Sequence, residues 1–250
     1  MKIILLCLAG FVAAIFDSIA GGGGIITVPA LLAAGIPPHY TLGTNKFAAS
    51  WGAMTSSLTF LRSRVVYLPL IKYIIPFTLL GASLGVKTAL HIDPKYLQTI
   101  VIVMLIFVTF YTVLKKGRPE PAAANCFQMD NKKVLIGCSL GFVLGFYDGF
   151  FGPGTGSFLL FSFVHLFKFN YTTSAANARI LNFCSNLTSL LLFAVNGKIF
   201  YTIGLPMAIC MALGGRIGSK IALKHGSKII KPIFITMSVL LISKLIIDSL

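Results

Sequence analysis

The sequence predicts an all-α polytopic membrane protein of about eight transmembrane helices, built as two homologous repeats with short helices broken by glycines. Three observations support this fold class. Of the 250 residues, 56% are hydrophobic and 11% are charged, and the mean hydropathy is +0.90, whereas a soluble domain has about 25% charged residues. The apolar residues fall into well-separated segments, and similar motifs recur in the two halves of the chain.

The apolar segments form two sets of five on either side of a polar stretch. The first set lies at about 3–20, 24–35, 45–61, 67–90 and 95–114, and the second at about 133–151, 155–168, 173–195, 200–223 and 229–248. A full crossing needs about 20 residues. The second segment of each set is shorter and follows glycines, which is typical of a half-helix, a re-entrant hairpin or a tilted span. We therefore expect eight full crossings and two short elements, with ten segments as the upper limit.

The repeat pattern predicts three regions. These are a first transmembrane repeat at 1–114, a polar connecting loop at 115–132 and a second transmembrane repeat at 133–250. The halves align at an offset of 131 to 134 positions, and several motifs match in the same order. The matches are Phe16-Asp17 with Tyr147-Asp148, Asn45-Lys46 with Asn177 and Arg179, Gly81–Gly85 with Gly214–Gly218, and His91 with His225. The two glycine-rich stretches contain GxxxG patterns, which predict close packing between helices.

The charge balance is strongly basic, with 21 basic and 6 acidic residues and a net charge of +15. Basic residues at helix ends orient a membrane protein and contact anionic lipids, and no basic-aromatic surface for a nucleic acid is present. The positions with most basic residues are predicted to be cytoplasmic: the central loop (Lys115, Lys116, Arg118, Lys132, Lys133), the loop near 224–231, and the loop with Arg62 and Arg64. Five crossings per half would make the repeats inverted, and four would make them parallel; the sequence leaves both open.

Neither a metal nor a cofactor is expected. The five cysteines (Cys7, Cys126, Cys138, Cys184, Cys210) form no CxxC pair, and the Walker-type GxxxxGK[ST] of nucleotide hydrolysis is absent. Residues 1–20 resemble a signal peptide. Because their counterparts lie deep in the chain, we expect them to belong to the first repeat and not to be cleaved.

Two of the six acidic residues, Asp17 and Asp148, lie in apolar stretches, each four residues before a glycine cluster. A carboxylate in a transmembrane segment is costly and usually functional. Asp17 and Asp148 have three interpretations. They could carry protons, since a carboxyl group removed from water can exchange protons near neutral pH. They could pair with Lys46 or Arg179, or they could cap the N–H groups of the broken helices.

The glycine clusters and the cations after them are the candidate substrate contacts. A helix that restarts at membrane depth presents free N–H groups and a positive dipole end, which favours an anion. Close helix packing and snorkelling of the cations are the structural alternatives. Asn177, Asn182 and Asn186 also give one helix a polar stripe. The candidate residues are Gly22, Gly23, Gly24, Thr27, Asn45 and Lys46 in the first half, and Gly152, Gly154, Thr155, Gly156, Asn177 and Arg179 in the second.

These motifs resemble the sulfite exporter TauE/SafE family. The resemblance rests on Gly21–Gly24 with Thr27-Val28-Pro29, on Gly43-Thr44-Asn45-Lys46, and on Gly145–Gly156 with the run to Asn177-Ala178-Arg179 and Asn182–Asn186. It covers nearly the whole chain and is closest to the branch of probable membrane transporters. It implies an inner-membrane permease of roughly eight helices in two homologous halves, associated with small sulfur-containing anions such as sulfite or sulfoacetate. Pro153-Gly154-Thr155 departs from the unbroken glycine run of the first half.

We therefore expect a secondary transporter of the bacterial inner membrane that moves a small anion, such as sulfite or an organosulfonate, and is not an enzyme. Its partners would be the anion and the lipid bilayer, and a homo-oligomer is compatible with the sequence. Two alternatives stay open: a passive anion channel, and an intramembrane aspartyl enzyme that uses Asp17 and Asp148. The latter lacks the Gly-x-Gly-Asp element of such proteases.

Overall fold

The computed structural model describes residues 2–114 and 129–226, except for the side chains of 105 and 108–114. This part of the chain forms nine helices: α1 (Lys2–Ala20), α2 (Gly24–Ala33), α3 (Pro38–Arg62), α4 (Leu68–His91), α5 (Pro94–Leu114), α6 (Asn131–Phe150), α7 (Thr155–Leu166), α8 (Tyr171–Val195) and α9 (Tyr201–His225). Several predictions fall outside the described residues, namely the last apolar segment, most of the connecting loop, Lys115, Lys116, Arg118, Cys126, Lys228 and Lys231.

Corresponding helices of the two halves have similar lengths. α1 to α4 have 19, 10, 25 and 24 residues, and α6 to α9 have 20, 12, 25 and 25. Five of the described helices, α1, α4, α6, α8 and α9, are long and apolar enough to cross a membrane. The predicted polytopic all-α fold is thus confirmed. The repeat boundaries at 114 and 133 stay a prediction, because residues 115–128 are not described.

The short segments after the glycines are separate short helices. At a rise of 1.5 Å per residue, α2 is about 15 Å long and α7 about 18 Å, while the hydrocarbon core of a bilayer is about 30 Å thick. Each short helix therefore covers about half of that thickness and places its N-terminus inside the protein.

Helices of one half pack mainly on helices of the other. α1 packs along α9, and α6 packs along α4. α3 likewise contacts α9, α8 contacts α4, and α3 and α8 contact each other. The two halves therefore interlock, and α3 and α8, which carry buried polar residues, meet inside the protein.

Glycines allow the closest of these helix contacts, as the GxxxG patterns predicted. A methyl group added at Gly81 or Gly85 would overlap the backbone of α6, and one added at Gly214 or Gly218 would overlap the backbone of α1. Without a side chain at these positions, the helix backbones approach each other directly.

The N-termini of α4 and α9 are capped from the opposite half. The backbone N–H of Tyr67 donates to Asn177 Oδ1 at 2.8 Å, and that of Phe200 donates to Thr44 Oγ1 at 3.0 Å. The two capping residues, Thr44 and Asn177, are 133 positions apart in the sequence, and so are the two capped residues, Tyr67 and Phe200. The structure therefore relates Asn177 to Thr44, whereas the sequence alignment had paired Asn177 with Asn45. Such caps satisfy N–H groups that a helix start leaves without a partner.

The helix contact at Gly81 predicts a measurable loss of stability. The variant Gly81→Ala should lower the free energy of unfolding by about 1–3 kcal/mol, because the new methyl group forces α4 and α6 apart. The matched control is Thr88→Ala on the exposed face of the same helix, where the hydroxyl bonds only to its own helix. Thermal unfolding in detergent compares the two. Equal stability of both variants would contradict close packing at Gly81.

Candidate functional site

Five polar residues meet where α1, α3, α6 and α8 come together. Asp17 lies on α1, Lys46 on α3, Asp148 on α6, and Arg179 and Asn182 on α8. We call these five residues the ion-pair network. Lys46, Asp148, Arg179 and Asn182 are buried, and Asp17 is half-buried.

The pair of Lys46 and Asp148 is the more deeply buried part of the network. Lys46 Nζ lies 2.7 Å from Asp148 Oδ2, and the two side chains are 2% and 1% exposed. α3 begins at Pro38, so Lys46 lies in its third turn, beyond the first turn in which the helix dipole acts. Its charge is costly because the side chain is removed from water. The carboxylate from the other half compensates this charge, as one of the sequence interpretations required.

The pair of Arg179 and Asp17 has more hydrogen bonds. An Nη1–H of Arg179 donates to Asp17 Oδ2 at 2.6 Å, and an Nη2–H donates to the backbone carbonyl of Asp17. Asp17 Oδ1 also accepts from the backbone N–H of Gly23 at 2.9 Å. Asp17 therefore joins α8 to the turn that precedes α2. Pairing and capping are both present at this residue.

The amide of Asn182 connects the two pairs. Its Oδ1 accepts from Arg179 Nη1–H at 3.0 Å, and its Nδ2–H donates to Asp148 Oδ1 across a longer distance of 3.5 Å. The position equivalent to Asn182 in the first half is Ala49, which has no polar side chain. The link between the two ion pairs is thus made by the second half alone.

The glycine turns before α2 and α7 pack against each other beside this network. Gly24 lies against Pro153, and Gly21 lies so close to Gly156 that a side chain on Gly21 would overlap the start of α7. Gly154, which precedes α7, has a φ of +87°, a conformation that favours glycine. The N-termini of the two short helices therefore lie side by side.

A small cavity lies between these turns and the ion-pair network. Its volume is about 20 Å³, which is room for about one water molecule. Among the described residues, the backbone N–H groups of Gly22, Gly24, Gly154 and Gly156 have no acceptor. The lining residues are Asp17, Gly22, Gly23, Gly24, Asn45, Lys46, Ala49, Asp148, Gly152, Gly154, Gly156, Asn182 and Asn186.

Most of the residues predicted from the sequence line this cavity, and four do not. Thr27 donates its hydroxyl to Asn45 Oδ1 at 2.5 Å, and Thr155 donates to the Gly152 carbonyl at 2.8 Å. Asn177 caps α4, and Arg179 lies behind Asp17. These four residues contact their neighbours and not the cavity. The substrate-binding role of the others stays a prediction.

The sequence interpretation left three lining residues out of the candidate site. Asn182 and Asn186 belong to the polar stripe of α8, and the spacing of that stripe was the signal that could have included them. Asn186 donates to the backbone carbonyl of Asn182 at 2.7 Å. Ala49 carries no polar signal, so only packing could reveal it. Within the described ranges, no cluster of three or more His, Cys, Asp or Glu side chains could hold a metal ion.

A helical membrane protein whose broken helices and buried charges meet at a small internal cavity has the design of a transporter. The model of the family described as "Sulfite exporter TauE/SafE" matches residues 6–245. The chain therefore belongs to the TauE/SafE family of membrane transporters. The resemblance seen in its glycine motifs is confirmed.

Curated bacterial relatives match along nearly their whole length. A "Probable membrane transporter protein" of Haemophilus influenzae is 39% identical, covering 98% of this chain and 94% of the relative. The protein YfcA of Escherichia coli K12, with the same description, is 37% identical over 97% of this chain and 87% of its own. One from Sinorhizobium is 38% identical, covering 97% and 92%. No solved structure matches. The chain is thus a multi-pass protein of the bacterial inner membrane.

The buried pair of Lys46 and Asp148 predicts strong energetic coupling. Lys46→Gln or Asp148→Asn alone leaves one buried charge unpaired and should lower the free energy of unfolding by about 3–5 kcal/mol. The double variant should lose less than the sum of the two single losses, and a double-mutant cycle of thermal stability measures the difference.

The exposed pair of Asp130 and Lys133 is a matched control for this cycle. These charges are 3.8 Å apart, with side chains 56% and 33% exposed. Their coupling should stay below about 1 kcal/mol. Equal coupling in both pairs would show that burial does not strengthen the pair of Lys46 and Asp148.

The absence of a side chain at Gly152 leaves room for the amine of Lys46. The φ of this glycine is +100°, and a Cβ at this position would lie 2.9 Å from Lys46 Nζ. Gly152→Ala should therefore lower stability through backbone strain of about 1–2 kcal/mol and also by displacing the amine. Gly197→Ala is the control, since Gly197 has a φ of +64° but no neighbour within 4 Å of an added Cβ. If the two variants unfold at the same temperature, no additional clash with Lys46 exists.

Proposed function

We propose that this protein is a secondary permease for a small anion, and that the substrate class is sulfur-containing anions such as sulfite or an organosulfonate. The observation that carries the proposal is that Gly22, Gly24, Gly154 and Gly156 line one cavity, while their backbone N–H groups have no acceptor in the described part of the chain. Helix N-termini with free N–H groups are anion sites. The family description, which names sulfite, supports the choice of substrate class.

Lys46 supplies the positive charge of the proposed site. Its side chain lines the cavity, whereas Arg179 is held behind Asp17. In this conformation Lys46 is paired with Asp148, so an incoming anion takes the place of that carboxylate. The sequence interpretation proposed both Lys46 and Arg179 as counter-charges for the anion. We now propose Lys46 alone for this role.

The cavity must enlarge during transport. At about 20 Å³ it has room for about one water molecule, and an oxyanion of sulfur is larger than that. We propose that this conformation is closed, and that binding requires the turns before α2 and α7 to move away from α3 and α8. In transporters built from repeats, alternating access is largely rocking or gating of one repeat or bundle against the other around the binding site.

An aspartyl enzyme has less support than a permease. Such a site needs two carboxylates about 3 Å apart that share one proton. Here Asp17 binds Arg179 and Asp148 binds Lys46, so each carboxylate has a cation as its partner. A passive channel differs from a permease in its kinetics, because only a permease shows saturation and exchange across the membrane.

The proposal predicts saturable counterflow in proteoliposomes. Labelled sulfite and methanesulfonate should enter faster when the same anion is present inside, and not in protein-free liposomes. Lys46→Gln should lower this flux by about ten- to hundredfold, because a hydrogen bond to a charged group contributes about 1.5–3 kcal/mol.

Two controls separate binding from folding in this experiment. Lys87→Gln removes an exposed lysine of α4 and should leave the flux as it is. The double variant Lys46→Gln/Asp148→Asn removes the unpaired charge and should still lack flux. Flux that never saturates would favour the channel, and no flux of either anion would count against the proposed substrate class.

A further inference from the structure

We infer that Asp148 is the proton-binding site of the transport cycle, and that one proton moves with each monovalent anion while the Asp17–Arg179 pair stays closed. This inference rests on the proposed anion transport. It identifies the group that compensates the negative charge of the anion when the anion enters the cavity.

The charges of the ion-pair network sum to zero, with two carboxylates and two cations. An anion beside Lys46 would leave the network with an uncompensated negative charge in a buried site, which is costly. A proton taken from water by Asp148 restores neutrality. Protonated Asp148 releases Lys46 Nζ, and the anion then occupies the position that the carboxylate leaves.

Asp148 is the carboxylate with fewer hydrogen bonds to its charged form. Its Oδ2 pairs with Lys46, and its Oδ1 accepts one long bond of 3.5 Å from Asn182. Such a carboxylate loses fewer interactions on protonation than one with several short bonds. Its side chain is 1% exposed, so it exchanges protons with water only when the cavity opens.

Asp17 is held more firmly. Its carboxylate accepts from Arg179 at 2.6 Å and from the Gly23 N–H at 2.9 Å, and Arg179 also binds its backbone carbonyl. A guanidinium keeps its charge in proteins and offers several donors in a fixed geometry. Opening this pair would break two hydrogen bonds between Arg179 and Asp17, and the Gly23 N–H holds the carboxylate in place as well, so we assign the pair a structural role.

The other charged groups near Asp148 are few. α1 supplies Asp17, α3 supplies Lys46 and α8 supplies Arg179, which reaches Asp148 through Asn182. Within the described residues, α2, α4 and α7 place no charged side chain in the cavity lining. On α6 itself, the Tyr147 hydroxyl donates to the Pro153 carbonyl at 2.6 Å. Asp17 is thus the other carboxylate of the described cavity lining, and it is already bound by Arg179 and by the Gly23 N–H.

The test uses the full-length protein in liposomes with methanesulfonate. This anion keeps a single negative charge over the pH range in which sulfite itself takes up a proton. With the membrane potential clamped, an acidic exterior should drive accumulation of about tenfold for each unit of pH gradient. Accumulation should not follow an imposed potential. An entrapped pH dye should report one proton entering with each anion.

The variant Asp148→Asn mimics the protonated residue. It should lose the response of accumulation to the pH gradient while counterflow stays measurable. Methanesulfonate should also raise its unfolding temperature equally at every pH, whereas in the wild-type protein this stabilisation should grow as the pH falls. Asp130→Asn is the matched control, since Asp130 caps α6 in an exposed position, and it should behave like the wild type.

Each contrary result has a distinct meaning. Accumulation in Asp148→Asn that still follows the pH gradient would overturn the assignment of the proton site. Wild-type flux that follows the membrane potential without proton entry would overturn proton coupling. This measurement needs only the wild-type protein, so it remains decisive if Asp148→Asn cannot be reconstituted. If methanesulfonate and sulfite are not transported and do not stabilise the protein, the result contradicts the proposed function. The assignment of the proton site, which rests on that function, is then overturned as well.

Discussion

The compensation of buried charge is the constraint on which the rest of this structure depends. Asp148 and Lys46 are almost completely buried, and Arg179 is nearly so. Each cation finds its carboxylate in the opposite half, so each half supplies the counter-charge for a cation of the other. Since removal of one member of a buried pair costs several kcal/mol, the two crossed pairs also hold α1 next to α8 and α3 next to α6. The same residues therefore determine how the halves interlock and where the polar cavity lies.

Glycines make this pairing geometrically possible. Direct backbone contact of α4 with α6 and of α9 with α1 brings the charged helices within reach of each other. The glycine turns before α2 and α7 let the backbone bend at membrane depth without side chains that would fill the space beside Lys46. Close packing and an open anion site were alternative interpretations of the glycine clusters. The two interpretations are compatible, because Gly21 packs on α7 while Gly22 and Gly24 line the cavity.

Much of this arrangement follows from the sequence, and the remainder depends on packing between distant helices. Hydropathy predicted the long and short helices, and the cost of charges in hydrocarbon made pairing with Lys46 or Arg179 one of three interpretations of Asp17 and Asp148, beside proton carriage and capping. Which carboxylate binds which cation could not be predicted, since both pairings satisfy the same rule. Asn177 shows a second limit: a buried asparagine can face a cavity or cap a helix, and only the position of Tyr67 decides between them. The bridging role of Asn182 likewise depends on two partners from different helices.

The differences between the halves are as informative as their likeness. In one ion pair the cation is an arginine with several fixed bonds, and in the other it is a lysine with one carboxylate partner. Asn182 stands where the first half has Ala49, and Pro153 interrupts what is an unbroken glycine run in the first half. An arginine fork suits a permanent contact, whereas a lysine on a flexible stem can change partners. The arginine pair is thus the better suited of the two to holding the halves together, and the lysine pair is the better suited to opening.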